Sequence, residues 1–211
     1  MKIVAFTPIK LHSERLEDKN IALLNGRPLL NYAIDTVDLL DVDNYVFCSD
    51  ISVMDSVESK KVKFLERDKS LDTNKTLGND IYDSFVSNID ADIYILYHVT
   101  SPLLEQKYYE QALHAIECSG ASSAFTIYNA HTFAWYRNKP INYDSNNPPK
   151  TQDLYPVSLE TSGFYIFKKE SWLWHKSRIG PSPLLIEVDF WSSIDIDYQW
   201  QFDLCETRLK A

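Results

Sequence analysis

The sequence predicts an α/β fold in which a mostly parallel sheet carries helices on both faces. The main observation is alternation: short apolar runs rich in β-forming residues recur along the chain, and segments with helical spacing separate them. The second is size and composition, because 211 residues with 45% hydrophobic content, 5 Gly and 9 Pro favour one sizeable core over two independent ones. We therefore expect a single domain that spans 1–211.

Five runs in the first two thirds of the chain have the composition of buried strands, at 3–6, 45–48, 62–65, 93–97 and 124–128. Two more strands are predicted at 163–167 and 184–188. Right-handed crossovers place the ends of parallel strands along one edge of the sheet. The loops at that edge are where a ligand is expected.

Two segments with helical spacing follow prolines. One carries Leu29, Ala33, Val37 and Leu40 after Pro28, and the other carries Tyr109, Leu113 and Ile116 after Pro102. A short tryptophan-rich helix is expected after residue 167, and a last helix from about Tyr198. Between about 132 and 157 the pattern breaks into aromatic residues and a cluster of turn formers, which predicts an inserted arm.

Charge and cysteine content exclude several classes of protein. The 21 basic and 30 acidic residues give a formal net charge of −9, which repels a phosphate backbone, so no nucleic acid partner is expected. The three cysteines lack the spacings of a zinc site or a disulfide framework. No stretch approaches the ~20 apolar residues of a membrane span, and the first residues lack the apolar core of a signal peptide. We expect a cytoplasmic protein without membrane insertion.

The loop after the first predicted strand, 10–20, concentrates cations and small polar donors. Lys10, Arg15 and Lys19 can form charge-assisted hydrogen bonds to a polyphosphate, and Ser13 can bind a remaining oxygen. Three acidic residues in the same loop, Glu14, Glu17 and Asp18, also allow a solvated surface loop of mixed charge.

Near the other end of the chain, Asp195 and Asp197 stand two residues apart in an extended segment. Carboxylates at this spacing point to one side and can share a divalent cation. Mg²⁺ suits such a pair, since it takes one or two carboxylates and completes its shell with waters and phosphates. The alternative is that Asp197 caps the final helix.

Two turns beside predicted strands are candidates for a substrate pocket. The first contains His98, Thr100 and Ser101, and the second contains Glu160 and Thr161. The alternative for the first turn is simple capping of the next helix, with His98 a hydrogen-bonded structural histidine. Ser101 is not surrounded by the signature of an activated nucleophile.

As an ordered set, these motifs resemble the acylneuraminate cytidylyltransferase family over nearly the whole chain. The segments that carry the resemblance are 10–20, LNGRPL at 24–29, VFCSD at 46–50, Arg67 with Leu71, TSPL at 100–103, QDL at 152–154, ETSGFYIF at 160–167 and SIDID at 193–197.

The resemblance implies a Rossmann-like sheet with a protruding arm that reaches across to a second subunit, and hence a homodimer. It implies that CTP is a substrate whose triphosphate is held by residues of the N-terminal loop: Lys10, Ser13, Arg15, Lys19 and Asn20. Arg67 matches the arginine near the base, and Asp195 and Asp197 match the carboxylates that bind Mg²⁺.

The implied reaction is attack of an acceptor oxygen on the α-phosphorus of CTP, which gives a CMP-linked product and pyrophosphate. In such chemistry the protein chiefly positions the reactants and stabilises negative charge. Lys10, Arg15 and Lys19 would neutralise the departing pyrophosphate, and Asp197 would act through the metal. The turn residues His98, Thr100, Ser101, Glu160 and Thr161 are expected to contact the acceptor.

Three departures from the family concern the acceptor. His98 stands where sialic-acid enzymes have a glutamine, Glu160 where they have an arginine, and Trp135 near a family lysine. The replacement of cations by Glu160 and Trp135 removes the natural partners of a sugar carboxylate, and an anionic Glu160 would repel one. We therefore predict that sialic acid is not the acceptor. Another sugar of a surface polysaccharide or lipopolysaccharide, or a small hydroxyl- or phosphonate-bearing metabolite, is expected instead.

Two alternatives follow from the same residues. The D-x-D pattern of Asp195 and Asp197 also occurs in nucleotide-sugar-dependent glycosyltransferases, although there a large acceptor region normally follows it. A catalytically weak nucleotide-binding or scaffold protein of the same fold is the second alternative.

Overall fold

A seven-stranded sheet forms the centre of the computed structural model, which describes residues 1–11, 16 and 18–211. The strands of the described chain are β1 (Ile3–Pro8), β2 (Leu23–Leu24), β3 (Arg27–Pro28), β4 (Asp43–Cys48), β5 (Lys63–Glu66), β6 (Ile93–Tyr97), β7 (Ser123–Ala130), β8 (Trp135–Tyr136), β9 (Lys139–Pro140), β10 (Val157–Lys168) and β11 (Pro183–Glu187). Its α-helices are α1 (Leu30–Asp38), α2 (Gly78–Asn88), α3 (Gln106–Ser119), α4 (Lys169–His175) and α5 (Gln199–Lys210).

The strand order in the sheet is β11-β7-β10-β6-β1-β4-β5. β1 pairs in parallel with β4 and β6, β4 with β5, and β7 with β11. β10 runs antiparallel to both of its neighbours, β6 and β7. The predicted mostly parallel α/β sheet is therefore confirmed, with one reversed strand inserted between parallel ones.

Alternate side chains of the central strands build two cores, one on each face of the sheet. On one face, Ala5, Ile95 and Ile166 pack with apolar residues of α1 and α3. On the other face, Phe6 and Tyr165 pack with aromatic residues of α2 and α4. Successive side chains of a strand point to opposite faces of the sheet, and both faces are covered here. Nearly every strand residue is therefore buried and apolar, which explains the continuous apolar runs in the sequence.

The final helix packs on a third, smaller cluster. Ile194 and Ile196 pack there with Cys205 of α5 and with Leu24 and Leu29 of the β2–β3 hairpin region. The helix follows Tyr198 rather than Asp197, and the Gln201 side chain accepts hydrogen bonds from the backbone N–H groups of both residues, at 2.8 and 2.7 Å. The alternative that Asp197 is the cap residue is therefore wrong.

The segment between β7 and β10 corresponds to the predicted arm. It contains the short β8–β9 hairpin and a turn of 3₁₀-helix at Thr151–Asp153. Asn142 ties its two ends together, since its side-chain amide donates to the carbonyls of Thr132 and Tyr155 at 2.8 and 3.1 Å. Several large apolar side chains of this segment are exposed: Trp135, Tyr136, Ile141 and Tyr155.

All the strands and helices expected from the sequence are present, with bounds that shift by a few residues, and besides the two short hairpins and the reversal of β10, two features were not anticipated. α2 is one, although Tyr82, Phe85, Val86 and Ile89 have helical spacing. The early start of β10 at Val157 is the other. Within the described part of the chain, no helix combines the length and apolarity needed to cross a bilayer.

Candidate active site

The strand order creates a crevice between β1 and β6. From β1 the chain proceeds outward to β4 and β5, then returns to add β6 on the other side of β1. Loops that leave β1 and β6 therefore diverge at the carboxyl edge, which is the usual ligand position in open α/β sheets. A cleft of about 620 Å³ lies there, lined on one wall by Pro8 at the end of β1 and by Lys10 after it, and on the other wall by His98 and Thr100 after β6.

Asp195 and Asp197 line this cleft because their segment alternates between core and solvent. Ile194 and Ile196 point into the third cluster, and the backbone N–H of Ile196 donates to the Thr100 carbonyl at 2.8 Å. This hydrogen bond joins the segment to the turn after β6. The two carboxylates are thereby held at the carboxyl edge of the sheet, next to the crevice.

Lys19 reaches the carboxylates from the N-terminal loop. Its Nζ lies 2.8 Å from Asp197 Oδ1 and donates to the Ile196 carbonyl at 2.6 Å. The two side chains are only 12% and 26% exposed. A residue predicted for phosphate binding and one predicted for metal binding are therefore in direct contact.

The carboxylate pair suits the Mg²⁺ ion that the resemblance implies. Asp195 Oδ1 is buried and has no hydrogen-bond partner among the described residues. A buried charged oxygen without a partner is costly, and a cation would satisfy it. The described residues hold no cluster of three or more His, Cys, Asp or Glu ligands. Mg²⁺ fits this set, because it binds through one or two carboxylates and takes its other ligands from water and phosphate.

Of the other residues predicted to bind phosphate, two lie in the part of the chain that the structure describes and two do not. Lys10 and Asn20 line the cleft, where the Asn20 amide donates to the Lys10 carbonyl at 2.8 Å and Lys10 Nζ donates to Asn74 Oδ1 at 3.3 Å. Ser13 and Arg15 lie outside the described residues. Asn74, with Thr73 and Thr76 beside it, also lines the cleft and was not identified from the sequence.

Arg67 directly follows β5 at the carboxyl edge of the sheet and is not among the residues that line the cleft. It is 2% exposed and donates from Nη2 to Asp72 Oδ1 at 2.7 Å and from Nη1 to the Phe47 carbonyl at 3.2 Å. Burial raises the pKa of Asp72, but the Ser49 hydroxyl and the Arg67 guanidinium outweigh it, so the net pKa is below its ordinary value. Arg67 Nε has no hydrogen-bond partner among the described residues.

His98 is oriented by the bulge in β10. Its Nδ1 lies 2.5 Å from the Ser162 carbonyl, so Nδ1 carries the proton and donates, which leaves Nε2 as an acceptor. Burial lowers the pKa of the imidazole and keeps it neutral. Ser162 has a left-handed φ of 58°, and the bulge around it is held by Thr126 Oγ1, which accepts from the Gly163 N–H at 3.1 Å.

The five residues predicted to contact the acceptor lie in three places: the cleft, the protein interior beside it and an adjoining cavity. His98 and Thr100 line the cleft. Ser101 is buried beside it, with its hydroxyl unpartnered among the described residues. Glu160 and Thr161 line an adjoining cavity of about 420 Å³, which shares Ser162 and both carboxylates with the cleft. The structure therefore brings four of the five to these two connected cavities.

Comparison with known proteins agrees with this architecture. The family model described as "Cytidylyltransferase" matches residues 4–134, which include both walls of the crevice from β1 and β6. The chain belongs to the cytidylyltransferase family. The suspected resemblance is thus confirmed.

Curated relatives of this cytidylyltransferase family member are N-acylneuraminate cytidylyltransferases. The protein of Oncorhynchus mykiss is 26% identical over 204 residues, covering 90% of this chain and 46% of its own length. That of Escherichia coli O18:K1:H7 is 25% identical over 230 residues, covering 98% of this chain and 52% of its own length. The chain spans about half the length of these relatives.

Solved structures of other cytidylyltransferases share the fold. A CMP:2-keto-3-deoxy-manno-octonic acid synthetase, in complex with CTP, superposes with a TM-score of 0.68 at 14% identity, over 100% of this chain and 99% of that one. The 4-diphosphocytidyl-2C-methyl-D-erythritol synthase of Anaerococcus prevotii has a TM-score of 0.67 at 10% identity, over 100% of this chain and 96% of that one. The Rossmann-like fold expected for this family is therefore confirmed.

Proposed function

We propose that this chain transfers CMP from CTP to an oxygen of a small acceptor and releases pyrophosphate. The observation that carries the proposal is the cleft at the crevice between β1 and β6, where Lys10 and Lys19 share one cavity with Asp195 and Asp197. Cations suit a triphosphate, and the carboxylate pair suits Mg²⁺. Family membership supports the same chemistry.

The protein's own contribution is positioning and charge stabilisation, because this reaction needs no covalent enzyme intermediate. Lys10 and Lys19, with Arg15 as a further candidate, neutralise charge on the departing pyrophosphate. Asp195 and Asp197 would hold Mg²⁺, which would screen phosphate charge and polarise the P–O bonds of the phosphate. His98 and Thr100, on the β6 wall of the cleft, orient the acceptor.

We propose a sugar or sugar-acid-like acceptor other than sialic acid, used in surface polysaccharide or lipopolysaccharide synthesis. Two residues support the exclusion of sialic acid, because neither can pair with its carboxylate. Position 160 carries an acid, and Trp135 is an exposed aromatic residue of the arm. We further propose that residues 1–211 act as one cytoplasmic domain.

A homodimer formed through the arm is also proposed. Its support is the exposed apolar surface of the arm, including Trp135, Tyr136 and Tyr155. Contiguous exposed apolar side chains commonly mark a protein interface.

The first test is thermal stabilisation of the purified protein by CTP, UTP, ATP and GTP, each with and without Mg²⁺. A ligand that binds only the native state raises its apparent stability. We expect a shift with CTP that requires Mg²⁺, followed by acceptor-dependent release of pyrophosphate. Selective binding of a UDP-sugar would favour the glycosyltransferase alternative, and no shift with any nucleotide would favour a scaffold.

Asp195→Asn tests the role of the carboxylate pair. We expect turnover to fall by about 100-fold or more, and the Mg²⁺-dependent part of the CTP shift to disappear. Stability without metal should be unchanged or higher, because the substitution removes a partly buried charge whose Oδ1 has no partner among the described residues. The control is Asp203→Asn, an exposed acid on α5. Full activity of Asp195→Asn would contradict the proposed metal site.

A further inference from the structure

Arg178 lines the cleft although no sequence motif pointed to it. It lies in the loop between α4 and β11, and it shares the cleft lining with His98, Ser162 and Asp195. Its side chain is 28% exposed. An arginine therefore stands beside the groups assigned to acceptor orientation and metal binding.

Two tyrosines hold the guanidinium in place. Its central carbon lies 3.8 Å from the centroid of the Tyr165 ring and 5.7 Å from that of Tyr82. Nη1 donates to the Tyr82 hydroxyl at 3.0 Å and Nη2 to the Tyr165 hydroxyl at 3.1 Å. Stacking uses the face of the guanidinium and leaves its edge donors available. The arginine is thus fixed by three of its five N–H groups, which donate to Tyr82, Tyr165 and Glu160, and two N–H groups have no protein partner among the described residues.

Glu160 is the acidic neighbour of this arginine. Its Oε1 accepts from Arg178 Nη2 at 3.4 Å, which is longer than a good charge-assisted hydrogen bond, and it also accepts from the Tyr165 hydroxyl. Glu160 lines the adjoining cavity, whereas Arg178 lines the cleft. The acid therefore contacts the arginine from the adjoining cavity, through one long hydrogen bond.

The negative charge in the cleft gives the Arg178 guanidinium a role in binding an anionic acceptor. An anionic acceptor placed near the reacting phosphate would meet the negative charge of that phosphate. Arg178 is a cation that lines the cleft together with His98 and Asp195, and its planar donor edge matches a carboxylate or a phosphonate. We propose that Arg178 binds a compact oxyanion of the acceptor in the cleft, at a position distinct from the adjoining cavity that Glu160 lines. This inference rests on the proposed CMP transfer.

The experiment measures binding of two small oxyanions, acetate and methylphosphonate, to the protein saturated with CTP and Mg²⁺. Saturation-transfer NMR of their methyl protons gives the affinity of each anion and separates the carboxylate from the phosphonate. We expect saturable binding of at least one anion by the wild type. We expect affinity to fall about tenfold or more in Arg178→Gln, because a charge-assisted contact is lost.

Glu160→Gln is the matched variant. It keeps the length of the side chain but removes the charge that partly neutralises Arg178, so anion affinity should rise a few-fold. If Arg178 only stabilised the loop between α4 and β11, Arg178→Gln and Glu160→Gln would both lower the stability of the protein, and neither would raise its affinity for the anions. Equal anion binding by wild type and Arg178→Gln, or none by the wild type, would overturn the inference.

The CTP-induced thermal shift separates this inference from the proposed function. Arg178→Gln should retain the shift. Its loss in that variant alone would assign Arg178 to the triphosphate site and overturn the inference. A missing shift in the wild type would overturn the proposed function instead.

Discussion

At the scale of single residues, some charged residues of the cleft could be predicted from the sequence and others could not. The carboxylates Asp195 and Asp197 could be found because D-I-D alternation places both acids on one side and both isoleucines in a core. Arg178 could not be found, because it lies in a short loop without periodicity, and its role depends on Tyr165 from a different element. Asn74 escaped notice for the same reason.

Lys19 gives the clearest prediction at this scale. In Lys19→Met, the loss of a cation near the phosphates should weaken CTP affinity about tenfold. Cytidine affinity should change far less, because cytidine carries no phosphate for the lysine to contact. Isothermal calorimetry with both ligands in the presence of Mg²⁺ measures the two effects.

Lys210→Met is the control for that substitution, since Lys210 forms an exposed pair with Glu206 at the end of α5. An equal loss of CTP and cytidine affinity in Lys19→Met would indicate that the lysine only supports the fold through Asp197.

At the scale of elements, strand and helix positions follow from composition, whereas strand direction does not. The apolar run at 163–167 was identified as a strand, yet nothing in its residues distinguishes parallel from antiparallel pairing when both faces are buried. The reversal of β10 follows from its connection through the arm and from its pairing with both β6 and β7. The bulge at Ser162 depends on that reversal, so the orientation of His98 was not predictable either.

The junction of β4 and β5 with the following 3₁₀-helix (Lys69–Asp72) provides a stability prediction. Asp72→Asn leaves the buried Arg67 without its charged partner, so the free energy of unfolding near pH 7 should fall by about 1–3 kcal/mol. The native pKa of Asp72 is lowered, so the ionised acid stabilises the fold above its unfolded pKa of about 3.9 and loses that effect as the pH falls below it.

Urea unfolding of the wild type and Asp72→Asn between pH 7 and pH 3 checks this result. The difference in unfolding free energy should shrink below about pH 4. Asp41→Asn, at an exposed position with a left-handed φ of 53° that asparagine accepts, serves as the control. A difference that stays constant with pH would show that the Asp72 charge does not stabilise Arg67.

At the scale of the whole molecule, alternation and length predicted the layered α/β architecture, and the ordered motifs predicted the family. The segment between β7 and β10 interrupts this pattern, and whether it contacts a second chain depends on a partner that a single chain does not contain. That dependence is why the homodimer remains a prediction.

Light scattering after size exclusion tests the dimer. We expect a mass of two chains for the wild type, and of one chain for a variant that carries Trp135→Ser and Tyr136→Ser, because both side chains are exposed on the β8–β9 hairpin. Trp174→Ser removes a tryptophan of α4 that is more exposed than Trp135, and this variant should remain a dimer. A wild-type monomer at micromolar concentration would contradict the prediction.

The reversed strand also bears on how this scaffold can diversify. β7 ends and β10 begins at the same edge of the sheet, with Ala130 paired directly to Val157. The stretch between them is therefore a loop whose two ends are held together by the sheet. The entropic cost of closing such a loop grows only slowly with its length. Insertions and deletions can accumulate there without altering strand register, next to the cavity that Tyr128 of β7 and Leu159 of β10 line. Descendants of one ancestral sheet can in this way change the lining of that cavity while the strands stay intact.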